Sequence, residues 1–184
     1  MIQISCIVPF YNEGPRISST LTILCQSRYI DEIIAIDDGS LDKPHIDIQK
    51  YKNRVIFLRN DTNKGKSHAV YCGLQKSRGD LLFLIDADLI NLRTEEIDDA
   101  CKKMIDNQQL DLLILKSTQG TLITRICRQD IVLSGARILK KKDLHEVFNR
   151  KPQGYQIETA INMYMINHQK SCCYLKFSDR KSVV

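Results

Sequence analysis

Leu81-Leu82-Phe83-Leu84-Ile85-Asp86-Ala87-Asp88 is the stretch that decides the fold. Five consecutive apolar residues follow the turn Arg78-Gly79-Asp80 and run into two aspartates. A short, continuously apolar run bounded in this way reads as a strand buried on both faces, the kind found in parallel sheets covered by helices. In such sheets ligands collect at the carboxyl ends of the strands, which is where Asp86 and Asp88 fall. In extended backbone, residues i and i+2 point the same way, so both carboxylates are predicted to reach one ion. Hard oxygen ligands suit Mg²⁺ or Mn²⁺, which usually complete their shells with substrate phosphates and water. Asp-x-Asp alone is a common turn and cap, and the strand before it is what gives it weight.

The same pattern repeats on the N-terminal side. Gln3 to Val8 reads as a strand ended by Pro9, and Glu32 to Ile36 as a second strand closed by Asp37-Asp38-Gly39-Ser40. Val55 to Leu58 is a third. Between them, Ile17, Leu21 and Leu24 mark one face of a helix from Pro15 to about Ser27, a short helix is expected around His45 to Tyr51, and another over Lys66 to Ser77. After the aspartates, Thr94 is predicted to cap a helix reaching Asn107, with Glu95 and Glu96 in its first turn and Ile97, Cys101, Met104 and Ile105 on its core face. Leu110 to Leu115 is a further strand. The alternating order implies an α/β domain with a mainly parallel sheet.

The rest is less regular. A polar stretch from Lys116 to about Asp130 reads as a loop, Gly135 to Lys140 as a strand and Lys142 to Phe148 as a short helix. Gly154 opens a helix with Ile157, Ile161, Tyr164 and Met165 on its buried face, and a strand near Cys173 to Phe177 follows. No repeat or linker divides the 184 residues, so one domain is expected.

Composition narrows the class. No apolar run approaches the roughly 20 residues needed to cross a bilayer. The N-terminus lacks the basic region and cleavage site of a signal peptide. The seven cysteines form an odd set with no C-x-x-C pair, which argues against a disulfide framework or zinc ribbon, and for small buried hydrophobes in a reducing cytoplasm. The net charge of +5 is scattered, without a basic stripe interleaved with aromatics, so nucleic acid is not an expected partner. A phosphorylated substrate or an anionic membrane surface fits better. Lys140-Lys141-Lys142 offers a peripheral membrane contact, though three lysines fall short of the usual four to eight.

Three strand ends now carry Glu13, Asp37, Asp38, Asp86 and Asp88 to one edge of the sheet. So many carboxylates repel one another unless a cation or several donors join them. Asn63-Lys64-Gly65-Lys66-Ser67 resembles the tail of a phosphate-binding P-loop, but Asn60 stands where that motif needs its first glycine. A helix N-terminus with Lys64 and Lys66 still attracts phosphate.

Taken in order, Val8-Pro9-Phe10-Tyr11-Asn12-Glu13, Ile36-Asp37-Asp38-Gly39-Ser40, Asn63-Lys64-Gly65-Lys66-Ser67-His68-Ala69 and Gly79-Asp80 through Asp88 resemble the family-2 glycosyltransferases, whose fold is GT-A. Ser134-Gly135-Ala136-Arg137 and Gly154-Tyr155-Gln156-Ile157-Glu158 are similar to that family's acceptor-side segments. The resemblance implies a donor half over residues 1–92 and an acceptor half over 93–184. It implies that Pro9, Tyr11 and Glu13 line a nucleoside pocket and that Asp38 reads the base. Asp86 would contact ribose or metal, Asp88 would bind metal and diphosphate, and Lys66 would lie near the donor phosphates. Glu158 would face the acceptor and either orient its hydroxyl or act as general base, and with Asp88 it makes the catalytic pair. The implied reaction is metal-assisted transfer of a sugar from a UDP- or GDP-sugar to a lipid phosphate or other small acceptor. A peripheral position on the inner membrane face and a homodimer go with that reading.

The chain departs from the family in two places. Many relatives carry Glu-Asp at the acceptor helix, where Glu158 is here followed by Thr159. Some supply a metal-binding His beyond the final strand, and with the sequence ending at Val184 that segment is expected to be either absent or cut off. Two other readings stay open: a nucleotidyltransferase, disfavoured by the lack of a glycine-rich basic loop after strand one, and a non-catalytic nucleotide-sugar-binding domain.

Overall fold

The computed structural model describes residues 1–42, 49–117, 134–150, 157–177 and 180–181. Strands β1 (Ile4–Phe10), β2 (Glu32–Asp37), β3 (Val55–Arg59), β4 (Leu81–Leu84), β6 (Leu112–Ser117), β7 (Arg137–Lys140) and β8 (Cys172–Phe177) form one sheet in the order β3-β2-β1-β4-β7-β6-β8. The first four are parallel, and β8 runs parallel to β6. β7 is antiparallel to both its neighbours, the one reversal in an otherwise parallel sheet. Helices α1 (Gly14–Gln26), α2 (Lys66–Lys76), α3 (Thr94–Asp106), α4 (Lys141–Asn149) and α5 (Ile157–Asn167) cover it.

Alternation along each strand sorts the core into two layers. In β1, Ile4, Cys6 and Val8 pack with Ile17, Leu21 and Leu24 of α1 and Ile97, Cys101 and Met104 of α3. Ile7 points the other way, into a cluster with Val70 and Leu74 of α2, Leu144 and Val147 of α4, and Ile161 of α5. Both faces are thus closed, as the unbroken apolar strands required. The predicted faces of α1, α3 and α5 are the ones buried.

Several local expectations are corrected. β1 does not stop at Pro9 but runs to Phe10, with Pro9 opposite Ile36. The Ile7 carbonyl accepts from Ile85 on the β4 side, and the Phe10 carbonyl from Asp38 on the β2 side. By alternation Pro9 faces β4, whose pairing has already ended at Leu84, so its missing N–H breaks no ladder bond. Thr94 is the first residue of α3 rather than its cap, and its hydroxyl turns to Gln26 Oε1 at 3.2 Å. Of the six described cysteines, all free, only Cys6 and Cys101 are fully buried. Burial pushes the Cys101 thiol up to about 12, with Asp98 and Asp31 adding to it. The rest of the predicted short helix before β3, most of the loop after β6 and the segment from Gly154 to Gln156 lie outside the described residues; Gln49–Tyr51 is a 3₁₀ turn.

Asp37 anchors the β2 end. It is fully buried, accepts from Ser40 N at 2.8 Å and pairs with Arg59 Nη1 at 2.5 Å. Asp37→Ala takes the acceptor from the buried Ser40 N–H, while the half-exposed Arg59 keeps its bond to the Ser40 carbonyl, so a cost of about 1–3 kcal/mol of stability is expected. Urea unfolding of the variant checks this.

Candidate active site

The loops at the strand ends are tied to one another before they meet any ligand. Asn12, with φ of 54°, carries β1 into its turn. Its N–H donates to Ser40 Oγ at 2.8 Å, and its side-chain oxygen accepts from Leu41 N at 2.9 Å. Gly14 N donates to Asp42 Oδ2 at 2.8 Å. The Tyr11-Asn12-Glu13 turn therefore sits at a fixed height against the β2 turn. Gly39, at φ 79°, lies so close to the next loop that a Cβ there would stand 2.6 Å from the Thr62 carbonyl carbon. No other residue fits.

Asp38 holds the loop before α2. Its oxygens accept from Asn60 Nδ2 at 2.7 Å, from Lys64 N at 3.1 Å and from Gly65 N at 2.7 Å. Gly65, at φ 88°, turns the chain into the helix, and Lys66 and Ser67 follow as the first helical residues. Lys66 Nζ then reaches across to pair with both Asp86 and Glu158. One ammonium from α2 links the carboxylate after β4 to the carboxylate in the first turn of α5.

The Asp86-Ala87-Asp88 segment is not the extended strand expected of it. β4 ends at Leu84, and Ala87 and Asp88 form a turn leading into β5 (Leu89–Ile90). β5 pairs antiparallel with β9 (Arg180–Lys181) in a small second sheet that sets Lys181 opposite Leu89, the residue after Asp88. The two aspartates meet in the cleft because a turn folds them there, and strand alternation plays no part. Gly135, just before β7, walls in Asp86, since a Cβ on Gly135 would stand 1.8 Å from Asp86 Oδ2. Among the described residues Arg137 is the largest fully buried side chain, and it lines a small cavity together with Asp86 and Glu158. Burial lowers it to about 10 against the opposing pull of Glu158 and Asp86.

The outcome is a cleft of about 650 Å³ at the carboxyl end of the parallel strands. All eight predicted site residues line it: Pro9, Tyr11, Glu13, Asp38, Lys66, Asp86, Asp88 and Glu158. Asp37 does not, being spent on Arg59 and Ser40. Sequence reasoning missed the tightness of Gly135 and the role of Arg137, which depend on β7 lying against β4. The lysine run is elsewhere. Lys140 pairs with Leu81, the first residue of β4, so Lys140-Lys141-Lys142 lies at the opposite edge of the sheet.

The electrostatics call for a cation. Asp88 Oδ1 is buried without a hydrogen-bond partner. Burial raises the Glu13 carboxyl; Arg16, at 3.3 Å, opposes this, while the charges of Asp88 and Asp42 add to it. Among the described residues no three acidic, His or Cys side chains converge as a complete metal cage. Two hard carboxylates, one of them with an unused buried oxygen, fit a Mg²⁺ or Mn²⁺ that takes its remaining ligands from phosphates and water.

The glycosyl transferase family 2 profile matches residues 5–111, more than half of the chain. This chain belongs to that family. A dolichyl-phosphate beta-glucosyltransferase of Trichomonas vaginalis is 37% identical over 174 residues, covering 87% of this chain and 48% of its own length. A dodecaprenyl-phosphate galacturonate synthase of Rhizobium johnstonii is 27% identical over 121 residues, covering 61% of this chain and 35% of its own. The family-2 chain here thus spans about half or less of the length of these curated relatives. Among solved structures, glucosyl-3-phosphoglycerate synthase from Mycobacterium tuberculosis, in complex with Mn²⁺, UDP and glucosyl-3-phosphoglycerate, superposes with a TM-score of 0.81. It is 18% identical, over 100% of this chain and 73% of that one, a likeness that shows the GT-A fold. Among the described residues no helix is long and apolar enough to cross a membrane.

Proposed function

We propose that this chain transfers a sugar from a nucleoside diphosphate sugar to a phosphate-bearing acceptor, a polyprenyl-type lipid phosphate or a small phosphorylated molecule. The observation that carries this is the cleft itself. One wall supplies Asp86 and Asp88, another supplies Lys66 at a helix N-terminus, and Glu158 closes the far side. The relatives support both halves: two are a dolichyl-phosphate glucosyltransferase and a dodecaprenyl-phosphate galacturonate synthase, and the superposed structure holds Mn²⁺, UDP and glucosyl-3-phosphoglycerate.

In this reading Pro9, Tyr11 and Glu13 line the nucleoside, and Asp38, besides fixing the loop, lies where the base is read. Asp86 and Asp88 would hold the divalent ion, which offsets the charge growing on the leaving diphosphate. Donor phosphates compete with Asp86 and Glu158 for Lys66 Nζ, drawing it to the α2 N-terminus, where the N–H groups of the first turn add their positive end. That movement frees Glu158 to meet the acceptor. The acceptor oxygen bonds to the anomeric carbon as the bond from that carbon to the diphosphate oxygen breaks. A hydroxyl acceptor passes its proton to Glu158, while an ionised phosphate has none to give. A lipid acceptor would enter from the cleft edge of the sheet, in a cytoplasmic enzyme peripheral to the membrane, and the lysine run at the other edge would not aim the cleft at a membrane.

Titration calorimetry with UDP and GDP, each with and without Mn²⁺, tests the proposal. Nucleotide binding that depends on Mn²⁺ is expected for one base, and its absence for both removes the reading.

A further inference from the structure

Arg137 occupies a position where its chemistry is out of place. It opens β7 opposite Leu84 and Ile114, on the face otherwise given to Leu139, Ile157 and Ile161. It is 1% exposed. An apolar side chain would be cheaper there, because a buried guanidinium loses its hydration and recovers it only through well-placed partners. Those partners are informative. Nε and Nη2 both donate to the Ser134 carbonyl, at 3.1 and 2.5 Å. Nη1 donates to the Glu158 carbonyl at 3.2 Å and to Asn162 Oδ1 at 3.2 Å. None of these bonds goes to a carboxylate.

One planar fork therefore grips two pieces of backbone. Ser134 immediately precedes Gly135, the residue pressed against the Asp86 carboxylate. The Glu158 carbonyl and Asn162 belong to the first turns of α5, so holding them sets where the Glu158 side chain begins. From above, Lys66 joins the Asp86 and Glu158 carboxylates directly. Ligands that draw Lys66 away dissolve that upper link, and the lower one through Arg137 involves no group that a donor could compete for.

We infer that Arg137 is a positioning residue for both halves of the site, fixing Asp86 through the Ser134-Gly135 turn and Glu158 through the first turns of α5. This rests on the proposed donor and acceptor roles of those two carboxylates. Its separate content is that the two are set by one buried guanidinium.

Three variants of the 184-residue chain test it: Arg137→Met, Arg137→Lys and Asn162→Leu. Arg137→Met keeps the length but leaves the Ser134 and Glu158 carbonyls and Asn162 Oδ1 without their donor, so its melting temperature should fall while the chain still folds and unfolds cooperatively. Its Kd for UDP with Mn²⁺ should rise about tenfold or more, at unchanged stoichiometry, and transfer to polyprenyl phosphate should fall about 100-fold. Arg137→Lys should rescue part of this, since one ammonium cannot span both backbone sites. Asn162→Leu loosens only the α5 side, so nucleotide affinity should stay within about twofold of wild type while transfer falls about tenfold. A wild-type Kd in Arg137→Met, or binding lost only as stoichiometry, overturns the inference. Failure of the wild-type chain to bind nucleotide would instead refute the donor reading. Amide exchange then decides the coupling: unchanged protection in Arg137→Met at 134–137 and 157–162 overturns it.

Discussion

Gly135→Ala should abolish Mn²⁺-dependent nucleotide binding while the chain stays folded. The added Cβ would stand 1.8 Å from Asp86 Oδ2 and 2.2 Å from Cγ, so the carboxylate must move by more than 1 Å. Its backbone cannot follow freely, because Ile85, next to it, donates to the Ile7 carbonyl in the centre of the sheet. A shift of that size at a reacting centre costs about 100-fold, and displacing an oxygen proposed to hold the ion should also strike donor affinity. Overpacking adds about 1–3 kcal/mol of strain. The strain should be relieved by removing the carboxylate, so Gly135→Ala in an Asp86→Ala background should cost less stability than in the wild type. Calorimetry with UDP and Mn²⁺ and thermal unfolding of the four proteins read both effects. Wild-type binding by Gly135→Ala would show that Asp86 is not held at this place.

Asp88→Ala should move stability and function in opposite directions. Asp88 Oδ1 is buried and has no hydrogen-bond partner, so in the free protein that oxygen has given up water without gaining a donor. Removing it should leave stability unchanged or raise it by about 1 kcal/mol. Mn²⁺-dependent binding of UDP should fall on the order of 100-fold or more, since one of the two carboxylates proposed to hold the ion is gone. The Glu13 carboxyl supplies an internal check. Burial is the main cause of its elevation, but Asp88 contributes, so in Asp88→Ala it should titrate lower than in the wild type. A titration followed by NMR measures this. Loss of binding together with loss of stability would mean that Asp88 is a structural turn residue.

Much of this site was legible in the chain because parallel strands impose a simple rule. Once Leu81 to Ile85 read as a doubly buried strand, Asp86 and Asp88 had to lie at its carboxyl end, and Glu13 and Asp38 had to join them from β1 and β2. The reading went wrong where a local geometry was assumed. Asp86 and Asp88 are joined by a turn and not by extended backbone, and Thr94 enters its helix when its hydroxyl finds Gln26 across to α1. As strand-end carboxylates Asp37 and Asp38 are equivalent by position, and only the resemblance singled out Asp38; in the structure Asp37 is consumed by Arg59 and Ser40 while Asp38 lines the cleft.

The order of apolar runs and polar strand ends by itself determined the α/β architecture, the edge at which ligands gather and the carboxylates Glu13, Asp38, Asp86 and Asp88 at that edge, while the family resemblance added Pro9, Tyr11, Lys66 and Glu158. Periodicity and burial are properties of short windows, so they survive in one dimension. Only the tertiary structure decided that β7 returns antiparallel against β4, and with it that Gly135 presses on Asp86 and Arg137 reaches the Glu158 carbonyl. Likewise only the fold paired β5 with β9 and gave Lys66 to both carboxylates. These contacts join residues tens of positions apart, and no spacing rule carries a hydrogen bond between chain segments whose adjacency is set by how the whole sheet closes.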